Sequence, residues 1–160
     1  MNFKKIFKEN ILFIATLLTI FFLDRYAKIT AINILENKKN IYINDYLNLD
    51  LVFNTGIGFG LLSFNENFYY NLVTILILIV IIIIGFFTFK SKKKEKLFFT
   101  FILGGAIGNV YDRITYKAVP DFIDLHIGNF HWFSFNIADI FITLGIIFMI
   151  LTEFTVKEKK

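Results

Sequence analysis

Two aspartates, Asp121 in "VPDF" and Asp139 in "NIAD", stand 18 residues apart in a chain that is 56% hydrophobic. Apolar neighbours flank both, and the segment between them is long enough to fold back and bring the carboxyls together. Two carboxyls in contact do not both ionise easily, so one keeps its proton while the other carries charge. Such a pair can activate a water with the charged member and protonate a leaving amine with the other. Asp139 stands in the first turn of an apolar helical run, where the helix dipole favours an anion. It is therefore expected to be the more readily ionised partner. Asp124, three residues after Asp121, is expected to have a supporting or solvated role.

Other hydrolytic chemistries lack their residues. Cysteine is absent, which removes disulfides, thiolate metal sites and a Cys nucleophile. There is no H-E-x-x-H for zinc and no Gly-x-Ser-Gly nucleophile. Tyr111 and Asp112 form a "YD" pair, without the G-x-G-D that accompanies it in presenilin-type proteases. His126 and His131, in "HIGNFH", have no recognised ligand spacing and read as interfacial histidines. No metal and no cofactor is expected.

The elements that must position these carboxyls are membrane helices. "LVTILILIVIIIIGFFTF", from Leu72 to Phe89, is free of charge over 18 residues, enough to cross most of a hydrocarbon core of about 30 Å. Four spans are expected, at about 11–32, 70–89, 97–114 and 135–156. The third carries Gly104, Gly105, Gly108 and Asn109, the small residues that closely packed membrane helices use. Eleven of the 17 basic residues lie before the first span, between the second and third, or after the fourth. By the positive-inside rule that side is the cytoplasm, and both termini lie there. The net charge of +4 then reports topology, and nucleic-acid binding is not expected. Charges in "FFLDRYAKITA" stand where a cleaved signal would need small residues, so the first helix is expected to be retained.

Two connections, about 33–67 and 115–134, remain on the outer side. "LNLDLVF" alternates Leu47, Leu49, Leu51 and Phe53 against Asn48, Asp50 and Val52, the period of a strand with one apolar face. "NTGIGFG", Asn54 to Gly60, follows as a glycine turn. In this topology polar residues from three helices meet at one depth: Asp24 and Lys28; Asn109, Asp112 and Arg113; Asn136 and Asp139. Ionisable residues at membrane depth are functional candidates. Each also has a plainer role. Asp24 and Lys28 have the spacing of an intrahelical ion pair. Asp112 and Arg113 suit a headgroup anchor, and Arg113 equally suits a carboxylate or a substrate carbonyl. Tyr111 and Trp132 suit the membrane interface.

The blocks "DRYAK", "NTGIGFG", "GGAIGNVYDR", "VPDFID" and "FNIAD" together resemble those of signal peptidase II, the bacterial lipoprotein signal peptidase, in its order and spacing. The resemblance implies an integral membrane, all-α bundle of four transmembrane helices with a small periplasmic β-cradle, forming a single membrane domain over 1–160. It implies Asp121 and Asp139 as the catalytic pair. Asn54, Gly56, Asn109, Arg113 and Asn136 would line the substrate groove, with Asp24, Lys28, Gly105, Gly108 and Asp112 in support. The implied substrates are prolipoproteins whose lipobox cysteine already carries diacylglycerol, cleaved just before that cysteine. Globomycin-type inhibitors would occupy the same groove. The implied location is the bacterial inner membrane, with the site at the outer leaflet facing the periplasm among membrane lipid. The family pattern after "NTG" often has alanines where this chain has Ile57 and Gly58. A monomer is expected, since one chain holds both aspartates.

Two other classes compete. A proton-conducting subunit would relay protons through Asp24, Asp121 and Asp139, but needs acids spread through the bilayer depth. A structural membrane protein leaves the convergence of polar residues without a cause.

Overall fold

The computed structural model describes residues 3–38, 40–56 and 67–157. Ile57, Gly58 and Gly60 of the expected glycine turn therefore lie outside the described residues. Four helices run over Phe3–Leu35 (α1), Asn67–Lys90 (α2), Lys93–Tyr116 (α3) and Ile137–Lys157 (α4). Four strands, Ile41–Asn44 (β1), Leu47–Asn54 (β2), Val119–Ile127 (β3) and Phe130–Phe135 (β4), form one antiparallel sheet in the order β1-β2-β3-β4. Each expected span falls on one of these helices, although α4 starts at Ile137 and leaves Phe135 to β4. Among the described residues, Asn10–Leu35, Phe68–Lys90 and Ile137–Phe154 are long and apolar enough to cross a membrane. Large apolar side chains on them, such as Leu12, Phe22, Ile82, Phe89 and Phe154, face outward. This is what a lipid solvent permits and water does not.

α3 is as long as α2, at 24 residues, but is less uniformly apolar because it packs against all three other helices. Its glycines admit backbone there. A Cβ on Gly105 would lie 2.4 Å from the carbonyl oxygen of Ala138 on α4. Further along, a Cβ on Gly145 of α4 would come within 2.7 Å of the Phe98 carbonyl on α3. The α3–α4 contact is thus set by missing side chains at both ends, the small-residue packing that membrane helices use where no hydrophobic force draws them together.

The sheet rests on the end of α1. Ala27, Ala31 and Leu35, one turn apart, meet Leu49 and Leu51 of β2 and Phe122 of β3. The expected apolar face of β2 is only half realised: Phe53 is 50% exposed, while Asn48 and Asn54 are buried. A bulge between Leu49 and Val52 in the β2–β3 register breaks the strict alternation, since an extra residue re-aims those that follow. The connection expected at 115–134 is largely strand. Lys117 ends α3 in the left-handed conformation, with φ 57°. The β3–β4 hairpin then closes through Gly128, φ 59°, and Asn129, between the paired Ile127 and Phe130. Positive φ at the first central residue alone marks a II′ turn, which needs glycine there. Tyr111 and Trp132 are exposed, as interface aromatics would be.

Gly105→Ala should destabilise the protein in detergent by about 1–3 kcal/mol, the usual range for overpacking, seen as a lowered thermal midpoint. Gly85→Ala on α2, where an added Cβ meets nothing within 4 Å, should leave the midpoint unchanged or slightly raised.

Candidate active site

α4 begins with a reciprocal cap. The Asn136 side-chain oxygen accepts the Asp139 N–H at 3.1 Å, and Asp139 Oδ2 accepts the Asn136 N–H at 3.1 Å. This is a capping box built from Asn and Asp, and it satisfies two donors at a helix start that would otherwise lack partners. The same Asn136 uses its Nδ2 to donate to Asp121 Oδ1 at 2.6 Å. One side chain therefore ties the first turn of α4 to strand β3.

Each remaining carboxylate oxygen also has its donor. Asn54, at the end of β2, donates from Nδ2 to Asp121 Oδ2 at 2.9 Å. Asn109 on α3 donates from Nδ2 to Asp139 Oδ1 at 2.8 Å. Asp121 and Asp139 are 2% and 8% exposed, and both line a cavity of about 290 Å³ shared with Asn54, Asn109 and Arg113. Most of the other lining residues are apolar, among them Ile77 of α2 and Ile142 and Ile146 of α4. The Asp121 carboxyl is pushed up to about 7. Burial is the largest cause and the charge of Asp139 the next, while the amides of Asn54 and Asn136 pull the other way. The arrangement can hold a proton on Asp121 near neutral pH, beside a largely apolar cavity.

Arg113 closes the opposite side. Its Nη2 donates to the carbonyl of Gly56, and the Gly56 N–H donates to Asn54 Oδ1 at 2.8 Å. The first residues of the expected glycine turn are thus pinned from both sides. Arg113 Nη1 is buried and has no hydrogen-bond partner among the described residues. The guanidinium lies 5.4 Å from the Tyr70 ring centroid, and the Tyr70 hydroxyl donates to the Arg113 carbonyl at 3.2 Å. Arg113 is 4% exposed and Asp112 0%, so the headgroup-anchor reading of this pair is corrected. Both are inside, where a charge needs partners.

The partners of Asp112 come from α1. Lys28 Nζ donates to Asp24 Oδ2 at 2.8 Å, Asp112 Oδ2 at 2.7 Å and Asn109 Oδ1 at 2.8 Å. Arg25 pairs with the other oxygen of Asp112 and lies 4.9 Å from the Tyr111 ring centroid. The expected intrahelical Asp24–Lys28 pair is present, but it belongs to a network across helices. Asp24 Oδ1 also accepts the Ala138 N–H of α4 at 2.9 Å. A Cβ on Gly108 would lie 2.7 Å from Asp24 Oδ2, so that glycine is what lets α1 approach α3 here.

Asp124 is buried, which removes the solvated reading. Its Oδ2 meets His131 Nδ1 at 2.7 Å, and His126 Nδ1 lies 3.9 Å away. His126 is buried rather than interfacial, and its ring stacks on His131 across the hairpin with centroids 5.4 Å apart. Among the described residues no group of three or more His, Cys, Asp or Glu side chains is arranged to hold a metal ion.

Asp24, Lys28, Asn54, Asn109, Asp112, Arg113, Asp121, Asn136 and Asp139 join one connected cluster, while Asp124 stands apart from it with His126 and His131. Sequence reasoning missed Arg25 as the partner of Asp112, and it missed the apolar wall. A spacing signal for the wall existed: Ile142 and Ile146 fall three and seven residues after Asp139, on its face of the helix.

A family profile described as Signal peptidase (SPase) II matches residues 16–155. The lipoprotein signal peptidase of Pelagibacter ubique (strain HTCC1062) is 47% identical over 155 residues, covering 96% of this chain and 93% of its own length. That of Anaplasma phagocytophilum (strain HZ) is 36% identical over 146 residues, covering 91% and 94%. Among solved structures, a bacterial membrane enzyme determined by the in meso method at 2.3 Å superposes with a TM-score of 0.76 at 26% identity, covering 93% of this chain and 91% of its own. A second, at 1.9 Å, gives 0.68 at 27% identity, covering 88% and 91%.

The carboxylic-acid infrared band removed by Asp121→Asn should titrate with a midpoint of about 7. In Asp139→Asn, which removes the neighbouring charge, that midpoint should fall. In Asn54→Ala, which removes a donor to the ionised form, it should rise. A midpoint unmoved by Asp139→Asn would mean that the two carboxyls do not share a field.

Proposed function

Because this chain belongs to the signal peptidase II family, we propose that it is an aspartic endopeptidase removing signal peptides from diacylglyceryl-modified prolipoproteins, with Asp121 and Asp139 as its catalytic pair. The observation that carries this reading is the meeting of two buried carboxyls on one largely apolar cavity. Every oxygen of the pair is held by an N–H donor, so its geometry is fixed before substrate arrives.

Asp139, at the N-terminal turn of α4, is the ionised member and takes a proton from the attacking water. Asp121, whose carboxyl is pushed up to about 7, is the acid that protonates the departing amine. The hydroxide adds to the scissile carbonyl carbon, the C–N bond breaks as the amine accepts its proton, and the products are a free amine and a carboxyl. Arg113 Nη1, without a hydrogen-bond partner among the described residues, supplies a donor for a substrate carbonyl. Asn54, Gly56, Asn109 and Asn136 border the groove and hold the two aspartates or the guanidinium in register.

The apolar wall formed by Ile77, Ile142 and Ile146 suits a substrate that stays in lipid, cleaved just before a cysteine carrying diacylglycerol. In this reading all four helices span the inner membrane, α3 included, as a single domain with both termini cytoplasmic. The lower apolarity of α3 is offset because its neighbours, and not lipid, cover much of it. The sheet and the site then lie at the outer leaflet on the periplasmic side, and one chain suffices as a monomer. Globomycin-type inhibitors would compete for the same cavity. A proton-conducting role has less support, since the buried acids gather at one end of the bundle while α2 has no charge between Asn67 and Phe89.

Cleavage of a diacylglyceryl prolipoprotein peptide in detergent should fall at least about 100-fold in Asp121→Asn and in Asp139→Asn, within the range of acid–base contributions. Both variants should keep near-native thermal midpoints. For the native enzyme the rate should decline as pH rises through the neutral range, because ionisation of Asp121 removes the acid. Normal cleavage by either variant would overturn the assignment.

A further inference from the structure

Lys28 never reaches the cavity, yet its ammonium is one residue away from the reacting carboxyls. It is fully buried, and its three contacts, to Asp24, Asp112 and Asn109, match the three protons an ammonium has to donate. Asn109 has one accepting end and one donating end. With its carbonyl oxygen claimed by Lys28 at 2.8 Å, its NH2 group is turned to Asp139 Oδ1, also at 2.8 Å. The flipped amide would set NH2 against ammonium and C=O against carboxylate, two repulsive contacts in a low-dielectric site.

We propose that Lys28 is a positioning residue for peptide cleavage: by holding the Asn109 carbonyl it fixes the amide that donates to Asp139, and so keeps Asp139 oriented and ionised. This rests on the reading of Asp139 as the ionised member of the pair. The ammonium itself is held firmly. Asp24, which anchors it from α1, is fixed by the Ala138 N–H one residue before Asp139, in space that Gly108 leaves open. Asp112 anchors it from α3 and is shared with Arg25. The charged groups facing Lys28 are thus Asp24 and Arg25 on α1, Asp112 on α3 and Asp139 on α4, with Asp121 of β3 also within its field.

The test compares Lys28→Met and the charge-balanced Asp24→Asn/Lys28→Met with the native enzyme, using the lipidated peptide. The double variant keeps the Arg25–Asp112 pair and a neutral cluster, so it is read should the single variant fail to fold. Folding is followed by thermal midpoint, and Gly145→Ala serves as a variant destabilised away from the site. Lys28 loss should lower kcat by up to about 100-fold, the scale of a misplaced reacting group, with KM changed by less than about twofold. In Lys28→Met the acidic limb of the pH–rate profile should also move upward, because removing a nearby positive charge makes the carboxylate harder to form; in the double variant the lost Asp24 charge offsets this, and kcat and KM are read instead. Gly145→Ala should leave that limb in place. Native kcat in a folded Lys28 variant, or a native acidic limb in folded Lys28→Met, overturns the positioning role. Should the native enzyme not cleave the peptide, or either aspartate variant cleave it normally, the proposed function falls instead, and the two failures are told apart.

Discussion

A carboxylate withdrawn from water keeps its charge only if donors replace the lost hydration, and each ion left without them costs several kcal/mol. Four aspartates, Asp24, Asp112, Asp121 and Asp139, are buried at one end of this helical bundle. All eight of their side-chain oxygens accept a hydrogen bond from a donor within the chain. The donors come from α1, α3, β2, the start of α4 and the residue that precedes it. No two of these elements can shift against each other without stranding an oxygen. The polar cluster therefore fixes the relative placement of the sheet and three helices as firmly as their apolar contacts do.

That satisfaction depends on distance, and the distances depend on what α3 lacks. The Gly105 position lets the carbonyl of Ala138 come against α3, and the Gly108 position lets the Asp24 carboxylate do so. Both contacts lie within one turn of Asn109, the residue that links Lys28 to Asp139. Packing and electrostatics are thus one arrangement here: a methyl group added at either glycine would push out the groups that the network joins. This is also why α3 has less of the uniform apolarity of its neighbours. A helix covered by protein on several sides needs small and polar residues where the partners meet.

The helices were legible because long apolar runs and lysine placement are one-dimensional signals, and each expected span falls on an observed helix. The convergence of Asp24, Lys28, Asn109, Arg113, Asn136 and Asp139 was legible too, because polar residues at a shared membrane depth are costly unless they face one another. What sequence could not supply was partnership. Asp112 beside Arg113 reads as a surface anchor until α1 brings Arg25 and Lys28 against it. Asp124 reads as solvated until the II′ turn at Gly128 folds His131 back over it. The bulge in β2 hid in the same way, since alternation in "LNLDLVF" gives no sign that the strand changes face after Leu49.

The four buried aspartates fall into two kinds, and the difference bears on which of them do chemistry. Asp24 and Asp112 touch Lys28 and Arg25 directly, so two negative charges meet two positive ones and the group is neutral as it stands. Neither Asp121 nor Asp139 is in contact with a cation among the described residues; their oxygens are held by amide and backbone N–H groups alone. Amide donors stabilise an anion without cancelling it, and the Lys28 charge reaches the pair only from behind Asn109. Two ionised carboxylates in that setting would repel with little compensation, so a proton on one of them is the way the site reaches balance. Burial first and the Asp139 charge next raise Asp121 to about 7, and no cation in contact with the pair among the described residues cancels that rise. In the proposed reading, this leaves a transferable proton on Asp121 beside a base on Asp139, as a hydrolytic pair requires.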